Sequence, residues 1–246
     1  MTPAVAHCTH RCIFCWRPTE WTLGNELKEW DSPEDIIQGS IEAQRTLISG
    51  FGGSPHTDEK KYEEAQEPNQ VAISLAGEPT AYPLISDLVE GYNNRGFTTF
   101  LVTNGTFPER LENMTLPTNL YVSIDAPDKE IYKKVDKPAI PDGWERINKT
   151  LELFPSMDTR TVARVTLIKD INMKDVKAYA RLIQKAQPDF IECKAYMCIG
   201  FSRRRLTLDN MPSFDEVMAF SKELANELSY EVKDSVPISR VVLLEK

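Results

Sequence analysis

Three cysteines fall in the run Cys8-Thr9-His10-Arg11-Cys12-Ile13-Phe14-Cys15, a C-x3-C-x2-C spacing. Three thiolates on one loop can hold three irons of a four-iron, four-sulfur cubane and leave the fourth iron open to a small chelating molecule. Cys8, Cys12 and Cys15 are therefore the candidate metal ligands. Zinc is the alternative occupant, but structural zinc takes four ligands, often as two facing pairs. His7 and His10 lie in the same short segment, and no second pair faces them. An odd cysteine count of five, with three clustered, argues against a disulfide framework and for metal ligation in a reducing compartment.

A second signal comes from alternation. Arg164 and Thr166 share one strand face, with Val165 and Leu167 on the other; Glu192, Lys194 and Tyr196 share another, opposite Ile191, Cys193 and Ala195. A polar stripe on an interior strand is costly unless it serves a ligand or is paired internally. Arg164 with Glu192 is the pair to expect, and Lys194, Glu192 and Arg164 are the catalytic candidates. Cys193, on the apolar face, reads as a core thiol, and so does Cys198.

These residues must be carried by the elements between them. β-branched runs at 71–75, 98–103, 120–125, 162–168, 190–195 and 240–244 predict strands. Helices are predicted from Pro33, after the capping Ser32, to about residue 48; over 84–95, closing on Gly96; over 173–187, before Pro188; and from the Ser213/Glu216 capping box to about residue 228. Strand and helix in succession imply right-handed βαβ units and a mostly parallel sheet, an α/β fold with a partial (β/α)6-type barrel favoured over a flat doubly wound sheet. The site then lies beyond the C-terminal strand ends, with the cysteine loop 8–15 on a strand-to-helix connection. Residues 50–68 read as an exposed loop with a solvated charged face. No boundary divides residues 1–246, so a single catalytic domain is expected.

With 246 residues, 41% hydrophobic, the chain can bury one ordinary core. A net charge of −8 does not advertise a general nucleic-acid binder, although a local basic face suffices for RNA. No long apolar window predicts a membrane span, and the first residues lack a secretory pattern, so a cytoplasmic protein is expected.

The cysteine spacing, with the aromatic Phe14 before the last cysteine, resembles the radical SAM superfamily. The wider pattern resembles the 4-demethylwyosine synthases of the wybutosine tRNA-modification pathway. It runs from Pro3 through Arg17, through Ala72 to Thr80 with its Gly77-Glu78-Pro79, Val122-Ser123-Ile124-Asp125-Ala126, Asp142-Gly143-Trp144-Glu145 and Arg164-Val165-Thr166-Leu167, to Tyr196-Met197, Gly200-Phe201-Ser202-Arg203 and Leu206 to Pro212.

The resemblance implies a 4Fe-4S cluster chelated by S-adenosyl-L-methionine, with Phe14 near the adenine. Gly77 and Glu78 correspond to the element that contacts the methionine amino group. Asn104, Ser123 and Asp125, at the next strand ends, are candidates for the ribose hydroxyls and the methionine carboxylate; taken singly they also read as ordinary turn and cap residues. The implied reaction adds two carbons of pyruvate to N1-methylguanosine beside the anticodon of tRNA-Phe, a deoxyadenosyl radical taking hydrogen from the N-methyl group. This makes the chain a lyase-class, metal-binding enzyme of tRNA processing. Arg203, Arg204 and Arg205 at the site mouth, and Lys133, Lys134 and Lys137 beside Tyr132, are candidate contacts to the anticodon loop. An external one-electron reductant and a monomer are expected.

The family also carries a second 4Fe-4S cluster and a pyruvate-binding lysine on an N-terminal region. The ligands of that second cluster do not occur before Cys8. Lys194 or Lys169 is the candidate to stand in for the lysine. Two rival readings are another radical SAM enzyme, such as a glycyl-radical activase, and a zinc-stabilised RNA-binding protein without catalysis. The triple arginine and the length of the match favour the tRNA enzyme.

Overall fold

Five β-branched runs form parallel strands in chain order: β1 (Gln70–Ile73), β2 (Thr98–Thr103), β3 (Asn119–Ser123), β4 (Arg160–Leu167) and β5 (Phe190–Ala195). The computed structural model describes residues 1–22 and 29–246. Helices α1 (Pro33–Ile48) and α2 (Glu59–Gln66) precede the sheet, and α3 (Ile85–Asn94), α4 (Pro108–Asn113), α5 (Lys129–Val135), α6 (Gly143–Leu153) and α7 (Val176–Ala186) fill the crossovers. After α8 (Phe214–Leu228) the chain closes in a hairpin, with β7 (Val241–Glu245) antiparallel to β5 and β6 (Glu231–Val236) antiparallel to β7 at the edge.

Strand order decides between the two architectures that the sequence left open. From β1 to β5 neighbours follow chain order without reversal, so right-handed crossovers set the connecting helices on one face. A doubly wound sheet needs a switch in that order. The opposite face therefore lines the hollow of a partial β/α barrel.

Alternation sorts the side chains between these faces. In β5 Ile191, Cys193 and Ala195 are buried under the helices, whereas Phe190, Glu192 and Lys194 are half-buried on the other side. Val176, Tyr179, Ala180, Ile183 and Ala186 of α7 recur at helical spacing and are buried. They join Leu101, Leu120, Val165, Leu88, Leu151 and Leu224 in one continuous core, where a fully buried Leu or Ile contributes about 1.5–3 kcal/mol. At the head of α8 the Ser213 hydroxyl accepts from the Glu216 N–H at 3.2 Å, and the Glu216 carboxylate accepts from the Ser213 N–H at 2.8 Å.

Four expectations need correction. The exposed segment 50–68 contains α2, capped by Asp58 accepting from the Lys61 N–H at 3.0 Å. The final strand is antiparallel and pairs with β6, whose largely exposed residues carry no burial alternation. Among the described residues no strand precedes Cys8. Instead the Met1 ammonium donates to the Ala72 carbonyl and Met1 O accepts from Ser74, both at 2.8 Å, so the first residue adds to the edge of β1. Tyr132 is buried and joins no basic patch. Among the described residues no helix is long and apolar enough to cross a membrane.

Candidate cofactor and substrate site

Beyond the C-terminal ends of the parallel strands opens a cavity of about 980 Å3, and Cys8, Cys12 and Cys15 all line it. The three thiols are free and half-buried. Burial, then the nearby Glu78 carboxylate, pushes the Cys8 thiol up to about 12. Burial and Asp136 raise Cys12 well above the usual thiol range. Thiolates form in such a place only against a compensating cationic centre, which is the chemistry an iron–sulfur cluster brings to its ligands. The donor set fits: three sulfurs from one loop, open on the cavity side.

His10 does not complete a zinc site with them. Its Nε2 is 2.8 Å from the Tyr132 hydroxyl, and burial pushes the ring down to about 3. One ligand atom each of His10, Cys12 and Asp136 lies within 4.8 Å of the others, but that grouping omits Cys8 and Cys15.

The loop is fastened at several points. The Asn104 amide donates to the Thr9 hydroxyl at 2.9 Å and lies 3.9 Å from the Cys8 sulfur. Arg11 and Ile13 donate their N–H groups to Asp136 and Val135 carbonyls at 2.9 and 2.8 Å, and the Cys12 thiol donates to Asp136 at 3.3 Å. At the far end Arg205 donates to the carbonyl of Ile13 at 3.0 Å and to that of Cys15. Gly77 has φ +70°, and a Cβ there would stand 1.7 Å from the Ala4 carbonyl oxygen, so only glycine lets the β1 end lie against the segment leading to the cysteines.

The acid after Gly77 is committed inside the protein. Glu78 is 1% exposed. One carboxylate oxygen accepts from the Thr80 N–H at 2.9 Å and the hydroxyls of Thr80 and Thr103 at 2.5 and 2.6 Å; the other accepts from the Asn104 N–H at 2.7 Å. Burial raises its pKa despite these donors. Glu78 therefore joins the ends of β1 and β2 and touches the cavity with what acceptor capacity remains. Phe14, Gly77, Asn104, Ser123 and Asp125 also line the cavity. Asp125 accepts from the Thr166 N–H at 3.0 Å, and burial pushes its carboxyl up to about 6.

The polar stripe is present as expected. Arg164 stands opposite Glu192 and Thr166 opposite Lys194 in the β4–β5 register. Arg164 Nε lies 3.0 Å from the Glu192 carboxylate, an ionic contact, since its N–H is not aimed to make a hydrogen bond. Arg164 and Lys194 line the cavity; Glu192, one pair further down the strand, does not. Lys194 makes no hydrogen bond among the described residues, and burial together with Arg164 lowers its pKa. Lys169 is 2.5 Å from Glu216 and does not line the cavity, so of the two candidate lysines Lys194 is the one placed in it.

The triple arginine divides. Arg205, with a side chain 14% exposed, is turned inward onto the cysteine loop and is not a free cation for phosphate. Arg203 and Arg204 are exposed, Arg203 donating to the Cys198 carbonyl at 3.0 Å. Lys133 and Lys134 are exposed on α5, with Lys133 3.2 Å from Glu130. Cys193 and Cys198 are buried, as expected of core thiols. Sequence reasoning missed Asp136, the acceptor behind Cys12, because 124 residues separate the two. It also missed the aromatic rim of Trp16, Trp21 and Phe201, for which the tryptophans just after Cys15 were a readable signal.

Comparison with known proteins agrees with this geometry. Residues 3–183 match the radical SAM superfamily and residues 185–246 match wyosine base formation. The S-adenosyl-L-methionine-dependent tRNA 4-demethylwyosine synthase of Pyrococcus abyssi is 56% identical over 99% of this chain and 73% of that protein. The enzyme of the same description from Methanocaldococcus jannaschii is 38% identical over 99% of this chain and 79% of its own length. A solved structure of TYW1 with a lysine–pyruvate adduct bound is 36% identical, covers 99% of this chain and 78% of that one, and superposes with a TM-score of 0.89. Conserved architecture, a three-thiol loop and identity along nearly the whole chain together place this protein in the tRNA 4-demethylwyosine synthase family of radical SAM enzymes.

Proposed function

We propose that this chain condenses two carbons of pyruvate with N1-methylguanosine beside the anticodon of tRNA-Phe, forming 4-demethylwyosine for wybutosine biosynthesis. The observation that carries the reading is one cavity walled on one side by three thiols and on the other by Arg164 and Lys194. Cys8, Cys12 and Cys15 would hold a 4Fe-4S cluster, which when bound supplies the electron for reductive cleavage of S-adenosyl-L-methionine. The backbone at Gly77, with Asn104, Ser123 and Asp125, would orient that molecule, and Phe14 would pack on its adenine. Lys194, a cation without a hydrogen-bond partner, would hold a carboxylate in the cavity, and Arg164 would keep Glu192 from neutralising it. Arg203, Arg204, Lys133 and Lys134 would contact phosphates of the anticodon loop.

The reading extends to a cytoplasmic monomer of the carbon–carbon lyase class, supplied by an external one-electron reductant. The family's second 4Fe-4S cluster would draw on none of the cysteines here, since Cys193 and Cys198 are buried. The test is anaerobic reconstitution with iron and sulfide, then dithionite and S-adenosyl-L-methionine. Release of 5′-deoxyadenosine that disappears in Cys12→Ala, and a pyruvate-dependent mass gain on N1-methylated tRNA-Phe, are the expected results. Zinc uptake without iron would overturn it.

A further inference from the structure

The mouth of the cavity carries a group of aromatic side chains that the core does not use. Trp21 is 71% exposed, and its ring centroid lies 6.0 Å from that of Phe201 at an interplanar angle of 58°. The Arg204 guanidinium lies 4.5 Å over the Phe201 ring, and the Arg17 guanidinium 4.4 Å over the Trp16 ring. Arg17 Nε is shielded from solvent and has no hydrogen-bond partner among the described residues.

Two loops distant in sequence are fastened together to present this group. Phe201 N–H donates to the Trp16 carbonyl at 2.9 Å. Gly200, at φ +54°, lets the backbones approach to where a Cβ would be 2.5 Å from that same oxygen. Arg205 ties the second loop to the first through Ile13 and Cys15. Large aromatic surface left open at a cavity mouth marks a binding face. Flat rings with guanidinium planes laid over them suit a planar, electron-rich partner, and a nucleobase stacks on both. An apolar peptide or lipid would make no use of the two guanidinium planes.

We propose that Trp21 and Phe201, flanked by Arg204 and Arg17, form a stacking shelf for an unpaired base of the RNA substrate, next to the one that reacts. This rests on the tRNA reading above and adds the recognition mode: stacking of an unpaired neighbour, in addition to phosphate contacts. A base held on the shelf would keep the adjoining nucleotide out of the helical stack and directed into the cavity.

The test is equilibrium binding of a labelled anticodon stem-loop RNA to the full chain, followed by anisotropy over a range of salt concentrations. Trp21→Ala should weaken binding about tenfold, the usual scale for losing one base–aromatic stack, with Trp21→Phe retaining most of the affinity. The slope of log affinity against log salt should not change, because no phosphate contact is lost. Phe201→Ala should act in the same direction, and a blunt duplex without unpaired bases should bind wild type and variants alike. Full affinity in both alanine variants, or a shallower salt slope in Trp21→Ala, would overturn the shelf while leaving the tRNA reading intact. Failure of the wild-type chain to bind the stem-loop would remove that reading and the shelf with it.

Discussion

Arg205→Met keeps the length of the side chain while removing the donors that hold the cysteine loop. Its bonds to the carbonyls of Ile13 and Cys15 are charge-assisted, a type worth about 1.5–3 kcal/mol each. Its contacts to Thr19 and Arg17, at 3.3 and 3.4 Å, are weaker and are left aside. Water reaches a side chain 14% exposed and replaces part of what is lost, so the low end of the range applies. The sum is about 3 kcal/mol, or about two orders of magnitude in the ratio of open to closed loop. Hydrogen exchange on the metal-free protein reads this ratio. The Ile13 N–H, bonded to the Val135 carbonyl at 2.8 Å, and the Cys15 N–H, bonded to Cys12 at 3.1 Å, report the loop. Both should exchange about 100-fold faster in Arg205→Met, while β3 keeps its protection. Arg205→Lys, with a single donor group, should fall between. Unchanged exchange at Ile13 and Cys15 would refute the assignment of Arg205 as the loop's fastening.

Gly77→Ala combines a left-handed backbone with a Cβ 1.7 Å from a carbonyl oxygen, so stability should drop by about 2–5 kcal/mol; an unchanged urea midpoint would show that the N-terminal segment simply moves aside. The Asp125 carboxyl titrates near 6 in the folded chain because it is buried, above its unfolded value of 3.8. The folded state therefore binds more protons between these values, and raising the pH from about 4 to about 6 removes stability, with no further loss from this group above that window. Asp125→Asn should flatten the stability profile over that window in urea titrations, and a profile with the same slope would count against it. For Lys194, product formation should survive in part in Lys194→Arg and vanish in Lys194→Ala, with no borohydride-trapped pyruvate on Lys194; a trapped adduct there would instead make it an imine nucleophile.

The sequence revealed what local pattern controls. β-branched runs located the five parallel strands to within a few residues, and cap chemistry located α1 and α8, because hydrogen-bonding side chains at helix starts are local. Cysteine spacing identified the loop for the same reason. What depended on tertiary partners was not legible. β6, with Val232 and Val236 separated by Lys233, Asp234 and Ser235, has no regular apolar alternation to betray it. Three arginines in a row look like surface charge, yet Arg205 reaches back 190 residues to the Cys15 carbonyl. Glu78 was expected to face a ligand, but most of its acceptor capacity is taken up by Thr80, Thr103 and Asn104. Strand alternation gave the Arg164–Glu192 pair correctly but not its depth, which depends on how far each strand runs before the cavity opens.

The fastenings of the cysteine loop come from opposite sides of the sheet. Cys8 is reached from the β2 end through Asn104, Cys12 from the end of α5 through Asp136, and Cys15 from beyond β5 through Arg205. Three separate elements therefore hold the loop, two of them through the Cys8 and Cys12 sulfurs and the third through the Cys15 carbonyl. A substitution that flattens or tightens the sheet, even one buried beneath β3 or β4 and remote from any thiol, would be read out as a change in metal affinity. A metal titration of core variants would then gauge packing as well as ligand identity.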